Sequence, residues 1–459
     1  VDKINNNNKF LTFRKNFSDF FYESYSINRS KTSLRATYHF NLAGTWFFNP
    51  EIEILSRSFY NFDALGDELI ENLVFHIGMV ELISYWKAAC PPHVIIRAGN
   101  LSEKQIKWWK KLYFNGLGEF FYLNEIETDV ETFMDISSEG KAFVASDLAL
   151  DSEKVLVPVG GGKDSIVTLE ILKDSHFQVL PYMLNPREAS LRTIEIAGFD
   201  KNHSIILNRT LDKELLKLNE QGFLNGHTPF SALLAFTSVL AALASGAKYI
   251  ALSNENSANQ STVPGSMINH QYSKSLEFED DFSDYLRQHI HRNVHYFSFL
   301  RPLNELQIAS LFSSYPQHFK SFRSCNVGSK SDSWCCHCPK CLFTYIILSP
   351  FLDEETLEEI FGSNLLADTS LEPIFKELTG LGDVKPFECV GTPEEVNISL
   401  WKKSSTIKDE PALMKKFKDL YEGLQNKDFN HLLNNLSDEH NLPDSFLKLL
   451  NTSFHDRKI

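Results

Sequence analysis

The stretch Val155-Leu156-Val157-Pro158-Val159-Gly160-Gly161-Gly162-Lys163-Asp164-Ser165 decides how this chain is organised. A short β-branched and apolar run predicts a buried strand, the three glycines a tight turn, and Ser165 to Leu172 a helix. Glycine lets the backbone bring its N–H groups against an anion, and the helix start adds its positive dipole end. Lys163 supplies a cation, Asp164 a carboxylate suited to Mg²⁺, and Ser165 a hydroxyl at the helix start. The pattern is that of a phosphate-binding turn. It is not a Walker A loop, which needs four residues between its two glycines and then Lys with Ser or Thr.

Downstream the rhythm continues as strand, loop and helix. Val179–Leu184, Ser204–Leu207 and Tyr249–Leu252 read as strands, and Leu191–Ala197 and Ser231–Ser245 as helices. Such alternation implies a parallel sheet covered on both faces, with ligands outside the carboxyl ends of its strands. Those ends carry Gly160–Ser165, Asn185, Asn208 and Ser253-Asn254-Glu255-Asn256. Pro229–Ala247 carries no charge and has the length to cross a bilayer. Its Ser231, Thr237, Ser238 and Ser245, and the strand that follows directly, make it a buried core helix instead.

Upstream, residues 1–150 read as a separate α+β unit. Leu34–Ile54 suggests a meander, Asp67–Lys87 and Glu103–Tyr113 helices, and Val94–Ile96 a strand. The α/β domain is expected over 151–345 and a helical region over 346–459, with amphipathic pieces broken by Pro411 and Pro443. Val1–Arg14 is polar and Asn-rich with no apolar core, so it does not read as a secretion signal, and the expected compartment is the cytoplasm.

The formal net charge of −14 argues against coating of nucleic-acid backbones, which needs clustered Lys and Arg. Seven cysteines, an odd number in a large chain, point to a reducing compartment. Five of them fall between Cys325 and Cys341. Cys335, Cys338 and Cys341 are spaced C-x2-C-x2-C, and with Cys325 they offer four thiolates for a structural zinc. Cys336 is left as the spare, although it could take the place of Cys335.

The loop resembles the Ser-Gly-Gly-x-Asp-Ser signature of the ATP pyrophosphatase (PP-loop) superfamily, with Gly160 in place of the first Ser. Members that make a deazapurine nitrile precursor carry a similar four-cysteine zinc site. Within the superfamily, the chain resembles the ATP-dependent epimerases of UDP-N-acetylmuramoyl-L-alanyl-L-glutamate. The resembling stretches are Phe75-His76-Ile77-Gly78, Val157–Ser165, Asn225-Gly226-His227-Thr228-Pro229, Ser253-Asn254-Glu255, Trp334–Cys341 and Lys385-Pro386-Phe387-Glu388-Cys389-Val390-Gly391.

The resemblance implies a parallel-sheet PP-loop fold and a UDP-sugar dipeptide substrate. It implies ATP with Mg²⁺ held by Gly160, Gly161, Gly162, Lys163, Asp164, Ser165 and Asn185. It also implies an acyl-adenylate whose Cα proton is exchanged. Asp164, Glu255, His227 and Glu388 are the expected catalytic residues, with His270 and Cys389 as further proton-transfer candidates. Arg187, Arg292 and Arg301 are candidate partners for phosphates or carboxylates. A PP-loop ligase or nucleobase-modifying enzyme and a non-catalytic ATP-binding module are the competing readings.

Overall fold

The computed structural model describes residues 3–30, 32–55, 60 and 62–456. In it the glycine stretch lies between a strand and a helix at the middle of one mixed sheet. Along the chain the strands are β1 (Asp19–Arg29), β2 (Ser33–Leu42), β3 (Trp46–Phe48), β4 (Glu51–Leu55), β5 (His93–Ile96) and β6 (Asp135–Ser138). They continue as β7 (Asp151–Pro158), β8 (Gln178–Leu184), β9 (Ile205–Thr210), β10 (Ala247–Leu252) and β11 (His295–Ser298). Their order is β11-β10-β7-β8-β9-β4-β2-β1-β5-β6, with β3 against β2.

The five strands from β11 to β9 are parallel. β9, β4, β2 and β1 pair antiparallel, and β5 and β6 extend the far side in parallel with β1. The sheet is therefore mostly parallel. It runs unbroken from the first strands into the α/β part through Glu51–Ile54 against Leu207–Thr210.

β7 reads as a central strand because Val155, Leu156 and Val157 are all fully buried, as expected where both faces are covered. Leu156, Leu180 and Tyr182 face one core, which holds the helix Phe230–Ser245. Val155, Val157, Val179 and Met183 face the other, with the helix Lys163–Lys173. Phe230–Ser245 is the apolar segment that has the look of a membrane span. It is 16 residues long, is buried on nearly every side, and ends at Gly246 in the left-handed region. Among the described residues no helix is long and apolar enough to cross a membrane. From Glu305 the chain is helical through the Cys cluster to Asp456, apart from connecting turns.

The meander at 34–54 and the helices and strands expected downstream appear within a few residues of their expected limits. β1, β6 and β11 are additions to the expected set. The Phe75–Gly78 stretch serves packing. His76 is fully buried between the Asn72 carbonyl at 2.8 Å and the Tyr285 hydroxyl at 2.9 Å. A Cβ on Gly78 would run into the rings of Tyr22 and Tyr38.

Candidate functional site

β8 and β9 follow β7 on one side of the sheet, and the chain then crosses back to place β10 on the other. This reversal makes β7/β10 a topological switch point, where open parallel sheets leave a crevice at their carboxyl ends. A cleft of about 600 Å³ lies there, lined by the glycine loop after β7, Asn185 after β8 and Ser253-Asn254 after β10. Its size suits a small-molecule ligand.

The loop is held from within and from behind. Gly161 has φ +87°, and a Cβ there would come within 2.6 Å of the backbone of Ala189 and Ser190, so both conformation and contact require glycine. A Cβ on Gly160 would meet nothing within 4 Å. The missing first Ser of the signature therefore leaves open space rather than a filled contact. The Ser165 hydroxyl accepts from Gly161 N–H at 3.2 Å and donates to the Gly162 carbonyl at 3.0 Å, so it fastens the turn itself. Asn185 has φ +50°, and its amide spans the Arg209 backbone with bonds of 2.6 and 3.1 Å, tying the end of β8 to β9.

Lys163 is buried and bonds two carboxylates, Asp164 and Glu305. Burial opposes its charge, but the two acids outweigh burial and raise its pKa. Burial pushes the Glu305 pKa up, against the pull of the Lys163 ammonium that it touches. Glu305 opens the helix Glu305–Ser313, where its own N–H donates to Glu395 at 2.7 Å. Asp164 keeps 34% of its side chain exposed, which makes it the acid of the loop that is open to a cation.

Six basic side chains, Lys163, Arg187, Arg209, Lys274, Arg323 and Lys340, line the cleft against two carboxylates, Asp164 and Glu305. In a chain of net charge −14 this is a strong local reversal of sign. Arg209 is fixed by a bidentate pair with Glu81 at 2.7 and 2.8 Å. Of the arginines expected to meet ligand, Arg187 lines the cleft. Arg301 is fully buried against Glu279, Ser298 and the carbonyls of Glu255 and Lys274, so it is part of the scaffold. Arg292 is exposed and does not line the cleft.

The four thiols of Cys325, Cys335, Cys338 and Cys341 lie mutually within 4.8 Å. Cys338 Sγ is 3.8 Å from Cys325 and 3.5 Å from Cys341, and Cys335 is 3.7 Å from Cys341. Thiolates ~2.3 Å from a tetrahedral zinc stand about 3.8 Å apart, so the set fits such an ion. Cys336 has φ +60° and points its sulfur at the Phe361 carbonyl, 3.1 Å away, which settles which of the adjacent cysteines joins the tetrad. The same segment braces the loop: Arg323 N–H donates to the Gly161 carbonyl at 2.9 Å, and Ser324 abuts Gly162.

The remaining candidates gather on one flank. Glu119 accepts from His270 Nδ1 at 2.5 Å and lies 3.5 Å from His227, and the two imidazoles are 4.5 Å apart. Lys87 fastens the turn before His227 through Asn225 and the Gly226 carbonyl. Lys274 Nζ donates to the Cys389 sulfur at 3.0 Å, and His270 is an electrostatic neighbour of that thiol. Cys389 lines the cleft, whereas Glu255, His227 and Glu388 do not. Glu255 is buried and accepts from the Ser257 hydroxyl at 3.1 Å, and Glu388 accepts from Asn326 at 2.7 Å. Burial raises the Glu388 pKa. Lys274, Glu305 and Arg209 escape sequence reasoning because no local motif marks them and only the fold brings them to the loop.

These features define a mixed α/β protein with a basic, anion-accepting cleft at the switch point of its parallel sheet. Residues 12–299 match the MurL N-terminal domain and residues 320–431 the MurL C-terminal domain. The chain is 33% identical over 389 residues to the UDP-N-acetyl-alpha-D-muramoyl-L-alanyl-L-glutamate epimerase of Xanthomonas oryzae pv. oryzae, covering 82% of this chain and 85% of that one. It is 35% identical to the epimerases of the same name from Salinispora tropica, over 72% and 73% of the two chains, and Micromonospora sp., over 73% and 76%. The chain belongs to the MurL epimerase family.

Proposed function

We propose that the chain inverts the Cα centre of the terminal L-glutamate of UDP-N-acetylmuramoyl-L-alanyl-L-glutamate, using ATP to activate the neighbouring carboxylate, as a cytoplasmic step of peptidoglycan precursor synthesis. The observation that carries this reading is the basic cleft built around the glycine loop, in a chain whose relatives are named as epimerases of that substrate. Both the nucleotide and the UDP-sugar are rich in phosphate, and six basic side chains in a cleft suit them better than an open nucleic-acid face.

Inversion at Cα is nearly thermoneutral, so ATP serves kinetics rather than equilibrium. A Cα–H beside a carboxylate is very weakly acidic, because its enolate would carry a second negative charge. Attack of the carboxylate on the ATP α-phosphate gives an acyl-adenylate and pyrophosphate; the adenylate is a far better electron sink, and its hydrolysis after inversion frees AMP and the D-glutamyl product. Each unit removed from the Cα–H pKa is worth about 1.4 kcal/mol. In this reading the N–H groups of Gly160–Gly162 and the charge of Lys163 face the phosphates, and Asp164 meets Mg²⁺. The strand–loop–helix unit and the Asp164-Ser165 ending support a PP-loop fold.

The test is product analysis. With ATP, Mg²⁺ and the UDP-muramoyl dipeptide, turnover is expected to give AMP and pyrophosphate together with D-glutamate after acid hydrolysis. ADP and phosphate would exclude this chemistry, and AMP with retained L-glutamate would favour a ligase.

Zinc belongs to the proposal as a structural ion. Cys325, Cys335, Cys338 and Cys341 would hold it, and four thiolates leave no position for substrate. About one zinc per chain is expected in protein purified without chelator. Cys338→Ser is expected to lower the melting temperature more than it alters the loop's chemistry. Metal analysis that finds no zinc would overturn the idea.

A further inference from the structure

Three residues on one flank of the cleft are left without a structural duty by the account of the loop and the tetrad: Cys389, His270 and Lys274. Proton abstraction needs a base with a free lone pair on the cleft wall. Among the described residues lining the cleft, Lys163 and Glu305 are locked to each other, Asp164 belongs to the loop, Cys325 to the tetrad, Lys340 donates to Asn326, and arginines do not deprotonate. Glu255, His227 and Glu388 stand off the wall. Cys389 lies on it, with Lys274 Nζ at 3.0 Å and the His270 imidazole close enough to couple to it electrostatically. Glu119 steadies that imidazole at 2.5 Å.

We propose that Cys389 is the base that removes the glutamyl Cα proton, backed by Lys274 and by the His270–Glu119 pair behind it. The inference rests on the epimerase reading above. In the step, a sulfur lone pair takes the proton and forms S–H, and the electrons of the Cα–H bond pass into the acyl-adenylate as an enolate. Water protonates the opposite face of Cα, and the proton on Cys389 leaves through His270 and Lys274 to neutralise the hydroxide. No oxidant or reductant is involved.

The surroundings favour the thiolate. Burial alone would raise the Cys389 pKa, but the charges of Lys274 and Lys340 and the nearby His270 imidazole outweigh it and hold the thiol well below its ordinary range. Burial pulls His270 down, yet Cys389 and Glu119 lift it to about 9. The neighbouring His227 is held at about 4 by burial and by His270, so it adds no competing charge at neutral pH. Glu388, next in the chain, is raised by burial.

Cys389→Ser keeps the shape and removes the easily ionised sulfur. In the full-length protein with ATP, Mg²⁺ and the UDP-muramoyl dipeptide, this variant is expected to form the adenylate within about threefold of wild type, followed by pyrophosphate–ATP exchange. Deuterium uptake at Cα and inversion should both fall by at least ~10²-fold, the scale of losing a positioned general base. His270→Gln is expected to move the acid limb of the inversion rate to higher pH with adenylation unchanged, a shift that a purely structural His270 would not give. Wild-type inversion in Cys389→Ser would overturn the proposal. So would equal loss of adenylation and inversion, which would assign the thiol to the fold or to the first step. If wild-type protein itself forms no adenylate from this substrate, the epimerase reading fails instead.

Discussion

Asp164→Ala is expected to lose at least ~10²-fold of substrate-dependent AMP formation, the scale of removing one placed electrostatic group from a reacting phosphate. The melting temperature is expected to stay near that of wild type. The distinction follows from how the Lys163 charge is held. Lys163 is buried and touches both Asp164 and Glu305, so cutting away Asp164 leaves the ammonium paired with a buried carboxylate. Asp164 itself is a third exposed, so solvent screens its side of the contact with the buried Lys163. Removing Lys163 would be a poorer test. It would leave Glu305 buried without its cation, and breaking a buried pair costs roughly 3–5 kcal/mol. Parallel thermal melts and AMP release on Asp164→Ala check the claim. An active variant, or one that unfolds, contradicts the role given to this carboxylate.

The decisive stretch was legible because strand, turn and helix each write a local signal there: β-branched residues, three glycines, then helical spacing. The same holds for Phe230–Ser245, where hydroxyl residues and a following strand distinguished a core helix from a span. β1 was harder to see. Phe20, Phe21 and Tyr22 are consecutive aromatics, so the alternation that buries Phe20 and Tyr22 is blurred in the sequence. β6 (Asp-Ile-Ser-Ser) and β11 (His-Tyr-Phe-Ser) lack the β-branched run Val94-Ile95-Ile96 that marks the equally short β5.

Within the site, spacing identified the tetrad but could not choose between Cys335 and Cys336. That choice depends on a positive φ at Cys336, which appears only in three dimensions. Ser165 and Asn185 were correctly placed at the loop and at the strand end. Their side chains turn out to fasten backbone, because a turn that presents N–H groups outward must be held by acceptors and donors behind it. Arg301 shows the opposite limit. A long charged side chain after a strand looks like a ligand contact, yet here it cross-links four groups in the core.

In D₂O with ATP and Mg²⁺, the glutamyl Cα is expected to gain deuterium during turnover, and leaving out ATP is expected to abolish that gain together with inversion. The effect should be all or none. Without adenylation the enolate would sit beside a full carboxylate charge, and among the described residues no group on the cleft wall is a strong enough base to reach so weak an acid. The cleft offers the Cys389 sulfur, lysine amines and two engaged carboxyl groups. A base of that strength suits a proton whose acidity has been raised by many units, each unit contributing about 1.4 kcal/mol. Free L-glutamate should exchange poorly even with ATP, because it lacks the remote nucleotide and sugar whose binding energy positions the carboxylate against the α-phosphate. Mass spectrometry of the recovered glutamyl residue, with and without ATP, reads the result directly. Exchange at the full rate without ATP would mean that the protein acidifies Cα by itself, and the glycine loop would then need another purpose.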